Sequence, residues 1–538
     1  MTHAHDGRQA LPTRKSPSGS AGKSPPRAVV FPVPPLAVPP VPLALLPVSR
    51  RQGYVVPAAV RGNTAAKLSG DLAAHNNKHL NTKDMSIITI HSAKTEGIEA
   101  KDILVETEIT PGIGIHLVGL ADAVVKESLL RTVTALQSLG YHIPGKRIVI
   151  NLAPSDLHKR GAGYDLAIAL GIIAASGQAY LPNMDKWLVI GETALDGTLR
   201  AVPGCVPAVL MARSKDLAGC IIPLANAEEV LPYAGDLPVY AVSGIVDALR
   251  VIRGGADDIP TVQEMTFPER ETMTRPEWDS IIGNEGAKRA LEIAAAGGHH
   301  VLLMGAPGSG KTILAKALAE LLPPMDTIER TEADSIRSVA GYGQNPPTER
   351  KRPFRAPHIS ASMSAMLGGG AGDNILPGEV SLASGGVLYI DEFAEAPKTL
   401  TEALRGPMED HKVTISRLKS RIEFPARFQL VTATNPCPCG YYGQGERCKC
   451  TPHQRLAYLS HLSGPVMDAI AIQAWAHPVT KNEIQAARQQ KESTIEEVRA
   501  RVAAAREMQK RRYAGTDIHT NDDLKNTTLP IYVKLDEK

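Results

Sequence analysis

The segment Gly305-Ala-Pro-Gly-Ser-Gly-Lys-Thr312 constrains this chain more than any other, and it reads G-x-x-x-x-G-K-[ST]. The apolar run Val301-Leu-Leu-Met304 stands before it and is short enough to be a buried strand. Ile313-Leu-Ala-Lys-Ala-Leu-Ala319, after it, has the composition of a helix. Strand, glycine loop and helix in that order are the context of a phosphate-binding loop. Glycines let successive backbone N–H groups curl round a phosphate without Cβ clashes, and the helix N-terminus adds partial positive charge. The candidate nucleotide-binding residues are therefore Gly305, Ala306, Pro307, Gly308, Ser309, Gly310, Lys311 and Thr312. In such a loop the lysine reaches the β- and γ-phosphates and the threonine holds Mg²⁺.

A chain of 538 residues has room for two or three domains. Its net charge of +3 is too small to argue for nucleic acid, so any basic surface must be local. Six cysteines in this length do not make a disulfide scaffold. The apolar segment from Ala28 to Val48 carries Pro32, Pro34, Pro35, Pro39, Pro40, Pro42 and Pro47. Each interior proline removes a helix hydrogen bond, so no membrane span is expected there. With no signal peptide evident either, a cytoplasmic protein is the default. Residues 1–84 are rich in Pro, Ser, Ala and Arg without sustained periodicity, a composition that reads as a disordered proline-rich extension. A proline-rich docking arm, or translation starting at Met85, are the alternatives.

From Met85 strands and helices alternate. Ser86–Ile90, Ile103–Ile109 and Arg147–Leu152 read as strands, and Val124–Leu139 and Asp165–Ser176 as helices, giving one α/β domain over 85–253. Residues 254–275, with Gly254, Gly255 and Pro260, read as a linker. The second domain spans 276–478, and 479–538 form a further helical segment and tail. Within the second domain Gly386-Val-Leu-Tyr-Ile-Asp-Glu392 is a buried strand ending in two acids, the Walker B pattern. Asp391 is placed to complete the Mg²⁺ site and Glu392 to polarise an attacking water. Four thiols, Cys437, Cys439, Cys448 and Cys450, make C-x-C-x₈-C-x-C. That pattern is compatible with a Cys₄ zinc site and equally with reduced, unliganded thiols, because a C-x-C pair strains the usual bite. Lys412–Arg417 and Arg421–Phe424 flank a Leu-Lys-Ser turn and read as a hairpin. Arg417, Lys419 and Arg421 are two apart and in extended chain would share a face. They are the candidate DNA-binding residues, a solvated charged hairpin being the alternative.

Gly114-Ile-His-Leu-Val-Gly-Leu-Ala-Asp122, Val149-Ile-Asn-Leu-Ala-Pro-Ser-Asp156 and Gly191-Glu-Thr-Ala-Leu-Asp-Gly197 resemble the N-terminal domain of Mg-chelatase-like AAA+ ATPases of the ComM/YifB type. Arg352-Pro-Phe-Arg-Ala-Pro-His358 and Asn435-Pro-Cys-Pro-Cys-Gly440 resemble the ATPase domain of the same family, and Ile282-Gly-Asn-Glu-Gly286 resembles its adenine-packing segment. The resemblance implies an α/β fold class. A Lon-protease-like, ribosomal-S5-like N-terminal domain is followed by a P-loop AAA+ domain with an inserted hairpin and a partial helical lid. It implies ATP and Mg²⁺ as ligands, Asn435 in the sensor-1 role beside catalytic Glu392, and self-association into a ring, as a hexamer. It further implies a hairpin facing the central pore and DNA remodelling of the helicase or branch-migration kind. Where a Lon-like peptidase has serine and lysine, this chain has Gly163 and Val206, so peptidase activity is not expected.

The resemblance breaks at Ser460-His-Leu-Ser-Gly-Pro-Val-Met-Asp-Ala-Ile-Ala471, where the family usually reads S-R-x-S-G-P-L-L-D-R-I-D. The arginine expected to reach a neighbouring subunit's γ-phosphate is Ala469. The rest of the lid, with its sensor-2 arginine, is replaced by a tail ending Leu529-Pro-Ile-Tyr-Val-Lys. Three functions are therefore open: a DNA-acting ATPase motor, a nucleotide-binding protein that hydrolyses slowly, and a motor subunit of a magnesium chelatase.

Overall fold

The computed structural model describes residues 87–159, 161–268, 276–343, 351–370, 375–417, 421–462, 464–487, 493–525 and 527–533. The extension over 1–84, Lys419 and most of the final stretch of the linker lie outside the described residues.

The first sheet begins with a long hairpin. β1 (Ile88–Glu96) and β2 (Glu99–Thr110) pair antiparallel from Ile88↔Thr107 to Glu96↔Glu99 across the turn at Gly97-Ile98. With β3 (Ile115–Val118), β4 (Arg147–Ala153), β5 (Trp187–Val189), β6 (Gly219–Pro223) and β7 (Val239–Val242) they form a seven-stranded mixed sheet, in the order β3-β4-β2-β1-β5-β6-β7. Alternation in β2 sends Ile103, Val105 and Thr107 inward, where α2 (Asp165–Ala175) packs as an almost wholly buried helix. α1 (Ala123–Ser138) starts where the Asp122 carboxylate accepts from the N–H of Val125 at 2.8 Å. The segment expected as a linker from 254 is in part packed structure. Val262 is fully buried, Thr261 bridges to Tyr240, and Met265 and Phe267 lie against the cluster built round α3 (Cys205–Ser214). Apolar residues at 262, 265 and 267 outweighed the glycines and proline before them.

The second sheet is parallel throughout. β8 (Val301–Gly305), β9 (Phe354–Arg355), β10 (Val387–Ile390), β13 (Gln429–Thr434) and β14 (Ile472–Ala476) lie in the order β9-β10-β13-β8-β14. β11 (Lys412–Ser416) and β12 (Arg421–Pro425) form a separate hairpin. Between β8 and β10 the chain also makes a small antiparallel pair, Gly368–Gly369 with Leu376–Pro377. α4 (Glu285–Gly297) and α5 (Lys311–Leu321) cover one face of the parallel sheet; α7 (Lys398–Asp410) covers the other.

The two sheets are tied by α6 (Thr327–Val339). Its Ser338 accepts at the carbonyl from the N–H of Gly204 (2.9 Å) and at Oγ from the N–H of Val206 (3.2 Å), and its Asp334 accepts from the Tyr233 hydroxyl at 2.6 Å. The hairpin contributes a second contact, since Ile98 packs with Ile375, Ile422 and Phe424. A cavity of about 730 Å³ remains between the two bodies. Gly163 lines it, whereas Val206 is buried in the core beside it.

The C-terminal helix α8 (Ile495–Arg512) packs onto the core of the parallel sheet. Ile495, Val498 and Val502 form a stripe at i, i+3, i+7 that enters the same core as β8 and α5. Arg501 bonds Glu292 at 2.6 Å, and Gln509 bonds the carbonyl of Ala296 at 2.7 Å. Beyond α8 the tail returns to the sheet. Asp522 takes a hydrogen bond from His299 at 2.9 Å, and Asp523 pairs with His411 and Arg427, each at 3.1 Å. Among the described residues no helix is long and apolar enough to cross a membrane.

Candidate nucleotide site and cysteine cluster

Three neighbouring parallel strands deliver the predicted site residues. β8 ends in the glycine loop, β10 ends at Asp391, and β13, lying between them, ends at Asn435. Gly310, at φ +88°, turns the loop into α5, a conformation that would strain any residue with a Cβ. The Lys311 ammonium donates to the carbonyls of Gly305 (2.8 Å) and Ala306 (3.2 Å) and to Asn435 Oδ1 (3.2 Å). Burial lowers its pKa, opposed by the nearby charges of Asp391 and Glu392.

The Thr312 hydroxyl lies 3.2 Å from the hydroxyl of Tyr389, which also reaches Asp391. Sequence reasoning passed over Tyr389; the signal was a hydroxyl inside the otherwise apolar run Val387–Ile390. Asp391 and Glu392 are exposed, and Asp391 Oδ1 accepts the N–H of Glu392, whose φ of +50° lies in the left-handed region. Ser309 Oγ is buried and has no partner among the described residues, an orphan inside the loop. A buried orphan donor and a clustered ammonium fit a phosphate, and the hard oxygens of Thr312 and Asp391 fit Mg²⁺.

The four thiols meet. All four Sγ atoms lie within 4.8 Å of one another; Cys437–Cys439 is 3.4 Å, Cys437–Cys448 3.8 Å and Cys439–Cys448 3.7 Å. Tetrahedral zinc with Zn–S bonds of ~2.3 Å needs S–S edges of ~3.8 Å, so the donor set fits that metal. The N–H of Tyr441, with the neighbouring thiols, pulls the Cys439 pKa down to about 6. His358, by contrast, is spent on its own loop: Nδ1 lies 2.7 Å from Ser360 Oγ and accepts the N–H of Ser360 at 3.1 Å.

Of the three residues expected to share a basic stripe on the hairpin, Lys419 lies outside the described residues. Ser416 pairs with Arg421 at the last described rung of the hairpin. Arg417 bonds the carbonyl of Gly370 at 3.4 Å. Arg421 and Lys412 both bond Glu423, at 3.0 and 2.9 Å, which offsets their charge. Ala469 packs into the apolar cluster with Leu404, Val466 and Ile470. Arg455, fourteen residues before Ala469, stacks 4.2 Å over the ring of Tyr442.

The sequence matches the family model described as magnesium chelatase, subunit ChlI, over residues 277–484, and that described as subunit ChlI of Mg-chelatase over residues 105–226. It is 39% identical over 430 residues to the uncharacterized protein YifB of Salmonella typhimurium, covering 80% of this chain and 83% of the relative. The chain belongs to the Mg-chelatase-like family of the ComM/YifB type. A second member, the competence protein ComM of Haemophilus influenzae, is 38% identical over 443 residues, 81% of this chain and 85% of the relative. Similarity to a Lon protease is local. The archaeal Lon protease of Archaeoglobus fulgidus is 42% identical over 77 residues, 14% of this chain and 11% of the relative. Within this Mg-chelatase-like chain, the model matched over 105–226 falls across β2 to β6 and that matched over 277–484 across the parallel sheet.

Proposed function

We propose that this chain is an ATP-binding AAA+ ATPase that uses Mg²⁺, assembles as a ring and acts on DNA. The observation that carries the nucleotide part is the convergence of Lys311, Thr312, Asp391 and Asn435 at the ends of three adjacent parallel strands. Thr312 and Asp391 would hold Mg²⁺, which would supply neutralising charge to the phosphates. Lys311 exchanges its loop carbonyls for phosphate oxygens. Asn435, which already holds the ammonium, keeps it aligned. Glu392, exposed beside Asp391, orients the attacking water. The DNA part rests on family membership and on Arg417 at the hairpin.

A second reading, slow hydrolysis, is favoured by Ala469. A trans-acting arginine is worth roughly 10³ to 10⁵ in rate. Here the position holds a methyl packed against Val466 and Ile470. ATP turnover measured with and without DNA, at several protein concentrations, tests both readings. Turnover that rises with DNA and with protein concentration supports the motor; tight ATP binding with flat, slow turnover supports the second. Metallation of a porphyrin would instead identify a chelatase subunit.

A further inference from the structure

The cysteine cluster and the phosphate loop touch. Gly440, at φ +81°, lies so close to the loop that a Cβ there would stand 2.8 Å from Cδ of Pro307 and 3.8 Å from Cγ of Asn435. Asn435 in turn accepts from Lys311. The segment between is Asn435-Pro-Cys-Pro-Cys-Gly440, and its prolines fix two of the intervening φ angles. The N–H of Gly440 is bonded to the carbonyl of Cys437 at 2.9 Å, and Cys437 is fully buried. The thiols therefore sit at one end of a short stiff arm whose other end holds the lysine-positioning amide, with Gly440 pressed against the loop.

We propose that zinc held by Cys437, Cys439, Cys448 and Cys450 is a clasp for the phosphate loop, so that metal occupancy sets the affinity of the site for ATP. The proposal rests on the ATP-binding reading above and adds the control of that site. With the metal bound, Pro307 is backed by Gly440 and Asn435 is held under Lys311. Without it, four thiols crowded within 4.8 Å separate, the arm loses its anchor, and both contacts loosen.

The test uses the full chain. Zinc is first counted in reductant-protected protein, then stripped with a zinc chelator that is removed before Mg²⁺ and a fluorescent ATP analogue are added. Stripping should weaken binding of the analogue at least tenfold, and zinc alone should restore it. Gly440→Ala, which alters none of the four thiols, should keep its zinc and still bind the analogue more weakly. Circular dichroism and the melting of the N-terminal body check that the stripped protein stays folded. Undiminished affinity in stripped, folded protein overturns the clasp, as does an absence of zinc in protected protein; both leave the ATP site standing. Failure of the intact, zinc-loaded protein to bind the analogue overturns the ATP-binding reading itself, and the clasp with it.

Discussion

Half-buried Lys311 and fully buried Asp165 are two ionisable groups with opposite prospects. Lys311 has three acceptors around it, and its charge is what a triphosphate requires. Lys311→Ala should abolish ATP binding, whereas Glu392→Gln should preserve binding and stop turnover; equilibrium binding and phosphate release check the pair. Undiminished affinity in Lys311→Ala would remove the loop assignment. Asp165 is fully buried beside Ser128, Arg131 and Thr193, and burial raises its pKa from 3.8 to about 7. The folded state thus keeps a proton that the unfolded chain releases. Stability should fall as pH rises from about 4 to 7, by up to about 1.4 kcal/mol per pH unit from this group. Asp165→Asn should flatten that slope in chemical denaturation followed across the range. Equal slopes in the two proteins would place the effect elsewhere. At this scale the glycine loop and the acids after Ile390 were legible, because their spacing is local. Tyr389 and the contact between Pro307 and Gly440 were not, because each joins segments far apart in sequence.

The hairpin of β11 and β12 was legible as an element, while the partners of its charged residues were not. The two flanking strands were readable and pair antiparallel from Lys412↔Pro425 to Ser416↔Arg421. Glu423, taking both Lys412 and Arg421, was visible in the sequence yet only pairing revealed its partners. If the hairpin meets DNA, Arg417→Glu with Arg421→Glu should weaken binding and flatten its salt dependence, since fewer counterions are released. An unchanged slope of affinity against salt would move the DNA path elsewhere. The C-terminal helix was likewise legible as a helix, with Thr494 as its N-cap. Its docking against α4 depends on Glu292 and Ala296, about two hundred residues earlier, and no local pattern announces that.

For the whole molecule, the main expectation is an enzyme that binds better than it turns over. Asp391, Thr312 and Lys311 act within one subunit, whereas the residue at 469 would have to act across two. ATP turnover should be far below that of a relative with arginine at 469, and Ala469→Arg should raise it only if copies assemble. Vigorous, concentration-dependent turnover in the unmodified chain would retire the slow-hydrolysis reading. The bonds from Ser338 to Gly204 and Val206, and from Tyr233 to Asp334, carry a different consequence. None of them depends on the peptide chain that runs from one body to the other. A molecule severed between residues 268 and 276 should therefore survive as a nicked pair that copurifies, and separately made halves should complement one another on mixing.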